Sequence, residues 1–453
     1  MISRITILAP LRHRAFSLLF GGQVISDLGD WLDLLALLSL ITFTWKLGAG
    51  ALAALSVALI LPSILVAPFA GVWVDRWPRR TVMIACDLAR AVVVLGLVWA
   101  PNLYVLLALV LAAGIFTSFF DPARQATIRF TVPEDDLLAA NSLSQLSTQI
   151  TKVIGPAIGG VIVLAAGPKA AFVADSLSFL LSAIILSQLP SMQEILRFAQ
   201  NDMVQARHSE QSEESAGIEA ALPSQEEQEE APKSNFWSEF VAGISYIVHR
   251  KVLAIAVGSM MVTIFIIFTF DSLAALSVEQ LGLNQAYLGL AVGSVGLGTA
   301  IGAVIVGQWG NRFHPLGLIG AGKVMSGVLV AILGLALIIA IRGVGAGWLP
   351  IWLLMGLAGA AIFVPYGYIL QKETPPQLMG RVSSAAIGLQ TFFQVLAPPL
   401  GALFATLFGL GYVFAVAGVA MALVGVFVLL VLPQVRAAEA KEDAGVEAPP
   451  QAR

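Results

Sequence analysis

Gly71-Val-Trp-Val-Asp75-Arg76-Trp-Pro-Arg79-Arg80 is a knot of charge wedged between two long apolar runs, and the rest of the chain is read outward from it. Arginines do not cross lipid cheaply, so Arg76, Arg79 and Arg80 mark a tight turn at a membrane face. By the bias of basic residues toward cytoplasmic loops, that face is expected to be cytoplasmic. Gly71 is expected to open the turn where helices approach closely, and Asp75 to accept hydrogen bonds from a neighbouring helix N-terminus.

The runs on either side set the class. Apolar residues make up 58% of the 453 and charged residues 12%, too few charges to coat a soluble globule. The runs reach roughly 20 residues, the length a helix needs to cross the hydrocarbon, and none alternates like a barrel strand. Twelve spans are expected, near 16–45, 48–74, 81–100, 103–129, 140–166, 169–189, 253–277, 285–308, 316–341, 347–370, 381–408 and 410–433. An even number puts both termini on one side. Arg4, Arg12, Arg14, Arg124, Arg129, Arg250, Lys251, Arg312, Lys372, Arg381, Arg436 and Lys441 fall with the loop arginines, against Lys46, Lys169 and Arg342 opposite, so both termini are expected in the cytoplasm. The first apolar run lacks a small-residue cleavage site and reads as a retained span. Cys86 is the single cysteine, which excludes an intramolecular disulfide.

The expected division is a six-helix bundle over 1–189, an acidic flexible cytoplasmic linker over 190–236, a surface helix plus a second six-helix bundle over 237–433, and a disordered cytoplasmic tail over 434–453. The linker is polar and repetitive, as in Ser209-Glu-Gln-Ser-Glu-Glu214 and Gln225-Glu-Glu-Gln-Glu-Glu230. Phe236, Phe240, Ile244, Ile247 and Val248 follow it at helical spacing, as in an amphipathic helix on the inner surface. The halves repeat. Pro122, Pro133 and Pro156 are spaced by 11 and 23, as are Pro365, Pro376 and Pro399; at the same offset Arg129 matches Lys372 and Leu146 matches Leu389. Gly307-x-x-x-Asn311-Arg312 echoes the charged loop. The expectation is an all-α membrane protein of twelve transmembrane helices in two pseudo-symmetric bundles, one rocking against the other around a site near the midplane.

Chemistry is most legible in the first span. Gln23, Asp27 and Asp30 fall within ~60° of one another on a helix, with Asp33 ~60° further round. Asp27 lies about 16 Å into the span at 1.5 Å per residue, where an ionised acid is costly unless paired or hydrated. Lys152 has a matching depth in the fifth span. Two readings compete: a structural Asp27–Lys152 pair pinning the first span to the fifth, or a proton-coupling stripe in which Asp30 first and Asp27 second take up a proton, because low dielectric disfavours the charged carboxyl. Asp87 and Arg90 lie three apart in the third span, and Asp121 sits toward the cytoplasmic end of the fourth. Gly155-Pro156-Ala-Ile-Gly159-Gly160 predicts a bend at a close helix seam, and Gly289, Gly293, Gly296, Gly298 and Gly302 a close-packing face.

Enzymatic signals fail. Gly317 to Lys323 fits Gly-x4-Gly-Lys, but Val324 stands where a magnesium-binding hydroxyl is needed and the stretch lies in an apolar span. His13, His208, His249 and His314 are scattered, with no zinc spacing and no nucleophilic arrangement. No enzyme activity, metal, cofactor or nucleic-acid partner is expected, so energy must come from an ion gradient or the cargo's own gradient.

The loop order Gly-x-x-x-Asp-Arg-x-x-Arg-Arg resembles the signature of the major facilitator superfamily, with Pro78 in place of the usual glycine. Phe16-x5-Gly22-Gln23-x2-Ser26-x2-Gly29-Asp30-Trp31, Phe119-x2-Pro122-x-Arg124, Val132-Pro133 and Ala140-Asn141 are most similar to the branch that includes the enterobactin exporter and macrolide efflux proteins. The resemblance implies a monomeric plasma (inner) membrane transporter exporting small hydrophobic or amphipathic compounds by proton antiport. It further implies that Asp121 joins the loop arginines in a charge cluster latching the inner gate, and that the Gly-Pro motif belongs to the exporting branch. The alternatives are a facilitator importing or flipping another solute such as a lysolipid, and a non-transporting sensor or scaffold working through the acidic linker.

Overall fold

The computed structural model describes residues 6–74, 76–190, 236–375 and 378–446. Asp75, the linker over 191–235, Pro376 and the tail from 447 lie outside the described residues, and with them the expectations placed there.

The described chain is helical: α1 (Arg14–Ser39), α2 (Ala49–Leu65), α3 (Ala67–Val74), α4 (Arg79–Leu97), α5 (Leu103–Thr131), α6 (Glu134–Ala166) and α7 (Pro168–Ser187), then α8 (Phe236–His249), α9 (Lys251–Asp271), α10 (Ala274–Gln280), α11 (Gln285–Trp309), α12 (Pro315–Ile338), α13 (Leu349–Lys372), α14 (Met379–Phe408) and α15 (Leu410–Val446). Nine of the described helices are long and apolar enough to cross a membrane. The first three expected spans are not among the nine, and their sequences say why. Three aspartates dilute α1, Pro62 and Pro68 accompany the break of the second run into α2 and α3 at Val66, and α4 carries Arg79, Arg80, Asp87 and Arg90.

The packing repeats between the halves. In the first, α1 packs on α6 and α7, α5 on α2 and α4, and α4 on α7. In the second, α9 packs on α14 and α15, α13 on α11 and α12, and α12 on α15. The joints repeat too: α6 gives way to α7 at Gly167 with φ 81°, and α14 to α15 at Gly409 with φ 96°, a backbone region that glycine enters at little cost. Between the bundles, α6 meets α11 and α2 meets α14.

The buried apolar side chains form three clusters. One draws on both bundles and lies at the end away from the charged loop, with Leu37, Ile41, Leu52, Leu288 and Trp352 among its members. At the loop end the first bundle has its own core around Phe16, Met83 and Leu186. The second has a separate one there around Leu253, Ile369 and Val382. The bundles therefore share a core at one end only. Polar bonds reinforce that end: Ser39 Oγ donates to Gln285 Oε1 at 3.0 Å, and Gln285 Nε2 donates to the Val163 carbonyl at 3.1 Å.

Two local expectations are corrected. Gly71 lies inside α3, and a Cβ there would meet nothing within 4 Å, so it does not open a close helix approach. The helix after the linker is docked into the second bundle rather than lying free. Phe240, Ile244 and Ile247 pack into that bundle's core, and Tyr246 Oη donates to the Glu373 carbonyl at 3.0 Å. Val248, expected on the apolar stripe, is exposed.

Candidate functional site

Along α1 the acidic stripe turns from a buried, bonded edge to an open one. Gln23 is buried; its Nε2 donates to Asp27 Oδ2 and to the Ser144 carbonyl of α6, each at 3.3 Å. Thr148 Oγ1 donates to the same Asp27 oxygen at 3.2 Å. Two neutral donors thus hold Asp27, and the cation acting on it is Arg124 of α5. Lys152 points elsewhere: it is exposed and acts electrostatically on Asp271 of α9, in the other bundle. Of the two readings of the stripe, the Asp27–Lys152 pair is not formed, and neutral hydrogen bonds tie α1 to α6 instead.

Asp30 and Asp33 line a cavity of about 620 Å³ bounded by α1, α2 and α5, with Trp31, Leu59, Ser63, Gly114 and Thr117 on its walls. That volume suits a drug-sized ligand, and a mostly apolar wall with a few convergent polar groups is the usual build of such a site. Asp121 lines it too. Its ion pair is with Arg124 of its own helix, at 3.4 Å, and it lies ten residues, about 15 Å of helix, before the end of α5. The pairing of Asp121 with the loop arginines implied by the resemblance is therefore not the arrangement here. Arg80 donates to the Ser187 carbonyl at the end of α7, and the Arg79 guanidinium lies 4.9 Å over the Phe130 ring.

Behind the cavity sits a buried charge network that the sequence reading left without a role. Asp87 and Arg90 of α4 form an ion pair, both buried. Ser182 Oγ of α7 donates to Asp87 Oδ2 at 2.7 Å, and the guanidinium is sandwiched between Phe179 and Phe120 at 4.2 and 4.5 Å. Delocalised charge between two rings is a stable way to bury an arginine. Asp175 of α7 completes the network and was missed. It is fully buried, its Oδ1 accepts from Ser178 Oγ at 3.1 Å and lies against Gly29, where any Cβ would collide with it. The signal that exposed the α1 stripe, an acid inside an apolar run, was present at Asp175 as well.

The Gly-Pro stretch packs on two sides. A Cβ at Gly155 would come to 2.5 Å from Trp31 Cβ, and one at Gly159 to 3.1 Å from Leu35 Cδ1, both on α1. A Cβ at Gly160 would come to 2.9 Å from the Gly289 Cα of α11. Pro156 is buried within α6, and its carbonyl faces Gly289. The motif is thus a seam between α1 and the opposite bundle. Of the glycines expected to form a packing face in α11, Gly298 and Gly302 meet α13, and Gly289 meets α6.

Among the described residues, no group of three or more His, Cys, Asp or Glu is placed to hold a metal ion. The site consists of carboxyls at the wall of a cavity, backed by one buried arginine, groups that can accept protons or hydrogen bonds and attract cations.

Comparison with known proteins gives the family. The family model described as Major Facilitator Superfamily matches residues 19–393 and 272–452. An uncharacterized MFS-type transporter, YfiS of Bacillus subtilis (strain 168), is 25% identical over 417 residues, covering 91% of this chain and 92% of its own. The enterobactin exporter EntS of Citrobacter koseri is 25% identical over 419 residues, covering 87% and 85%. Among solved structures, a bacterial homolog of the human lysosomal transporter Spinster, in an inward-facing and unoccupied conformation, aligns with a TM-score of 0.66 at 13% identity, covering 94% of this chain and 96% of that one.

Proposed function

The chain belongs to the major facilitator superfamily and is a multi-pass membrane transporter, and on that premise we propose that it exports small hydrophobic or amphipathic compounds by alternating access, driven by proton antiport. The observation that carries this reading is the placement of Asp30 and Asp33 on the wall of a largely apolar cavity in a molecule whose bundles share a core at one end only. The termini and charged loop face the cytoplasm, so this is the inward-open state. The resemblance to an enterobactin exporter supports both direction and cargo class.

Asp30 is the coupling acid and Asp27 its neighbour. Asp30 is exposed to the cavity, so cargo or water can reach it, whereas Asp27 is held by Gln23 and Thr148 and presents a pre-oriented carboxyl behind it. A proton taken from outside neutralises the acid while the bundles close, and its release into the cytoplasm accompanies the return. Lys152 and Asp271, one in each bundle, attract across the cleft. Arg76, Arg79 and Arg80 latch the inner gate as it shuts. The bundles over 1–189 and 237–433 move as bodies tied by the linker, in one monomer in the inner membrane.

The test replaces Asp27 and Asp30 by Asn, singly and together, and follows ethidium, a macrolide and a siderophore in proteoliposomes with and without an imposed proton gradient. Proton-driven accumulation is lost in Asp30→Asn and weakened in Asp27→Asn. Unchanged gradient-driven transport in the double variant refutes the reading.

A further inference from the structure

Resting on that reading, we propose that Gln285 of α11 is the positioning residue of the outer gate. Its carboxamide clasps α1 and α6 of the opposite bundle while the outer end is sealed, and its release sets how readily that end opens. Proton and cargo are handled by the cavity; Gln285 governs which side the cavity faces.

Both ends of the carboxamide are engaged across the divide. Ser39 Oγ, at the last residue of α1, donates to Oε1 at 3.0 Å, and Nε2 donates to the carbonyl of Val163, in the last turn of α6, at 3.1 Å. Ser39 and Val163 are buried, whereas Gln285, the first residue of α11, is half-buried. The Val163 carbonyl also accepts from the Gly167 N–H at 2.9 Å, so the amide donates into the negative end of the α6 dipole. The Asn284 side chain accepts from the Ala286 N–H at 3.1 Å and fixes the helix start from which Gln285 reaches. One turn inward the two backbones touch: a Cβ on Gly289 would come to 2.6 Å from the Gly160 Cα and 2.8 Å from the Pro156 carbonyl. A glutamine side chain is short, so both bonds require that seam to be shut.

The clasp lands on the helix that carries the acids. Ser39 lies about 13 Å beyond Asp30 on α1 at 1.5 Å per residue, and is followed by a wide π turn over Leu40–Thr44, a distortion frequent at functional sites. The chemistry suits a gate that must reopen. Leu37, Ile41 and Leu288 seal the end by packing around the clasp. The two bonds add the part that water can undo, because each is worth a modest net amount once water takes its place. A neutral carboxamide also strands no charge when it lets go.

The test is pulsed electron paramagnetic resonance on the full chain in lipid bilayers. Spin labels go on Lys169→Cys and Arg342→Cys, exposed sites at the outer end of each bundle, in a Cys86→Ser background, and thermal melting confirms that each variant is folded. The near-isosteric Gln285→Met should raise the ratio of outer-open to outer-sealed molecules roughly tenfold, and Ser39→Ala, which removes one bond, roughly threefold. In the Gln285→Met background Ser39→Ala should add nothing, a loss of additivity that looser packing alone would not give. An unchanged ratio in Gln285→Met overturns the proposal, as does an equal effect of Ser39→Ala in both backgrounds; ethidium still shifting the two distances would then leave the export reading intact. A single distance in every variant, with and without ethidium, overturns alternating access and the clasp with it.

Discussion

The two bundles share a helix packing plan and use it with different materials. In the first, glycines admit side chains: Gly29 admits Asp175 and Ser178, Gly155 admits Trp31, and Gly114 admits Pro62. In the second, the glycines of two seams admit backbone. Gly298 and Gly356 would each collide with a carbonyl across the α11–α13 seam, and Gly327 and Gly418 do the same between α12 and α15. Backbone-to-backbone packing gains dispersion and weak Cα–H···O contacts where lipid offers no hydrophobic drive. The first bundle instead buries Asp87, Arg90 and Asp175; in the second, Lys323 is buried with no hydrogen-bond partner for its Nζ. One half is thus close-packed and the other chemically equipped.

The contrast can be broken where it is sharpest. Arg90→Met leaves Asp87 buried and uncompensated, and should cost about 3–5 kcal/mol of stability. Thermal denaturation in detergent measures it, and Asp87→Asn added to Arg90→Met should cost less than the single change. In the second bundle the sensitive points are glycines. Gly298→Val forces a side chain against the Leu353 carbonyl and should cost about 1–3 kcal/mol, while Gly71→Ala, in open space, serves as the silent control. Lys323→Met sharpens the comparison in the other direction: removing an unsatisfied buried donor should raise stability by about 1–2 kcal/mol, seen as a higher melting temperature. A destabilised Lys323→Met variant would mean that the amine has work in the second bundle.

What the sequence discloses depends on whether a feature is periodic or azimuthal. The prolines, with Arg129 and Lys372, recur at a fixed offset, so the repeat is legible without coordinates. The α1 stripe is legible because charge inside an apolar run is conspicuous. Lys152 shows the limit. Depth along a helix follows from counting, but Thr148 is on the face that meets Asp27, while Lys152 looks across the cleft to Asp271. Asp175 escaped because it stands alone in its helix, with partners on α1 and α4. The loop motif suggested a glycine at a tight approach, yet α3 continues through Gly71 with no neighbour there. The resemblance makes Asp121 a gate residue, but in this structure Arg124, one turn on, pairs with its carboxylate.

Because the bundles share buried apolar surface at one end only, the alternating access proposed above would take Leu37, Ile41, Leu52 and Leu288 out of a common core and wet them. Wetting apolar surface raises heat capacity. The ratio of the two access states should therefore trace a curve, not a line, against inverse temperature, and a transporter tuned at one growth temperature would be mistimed on either side of it.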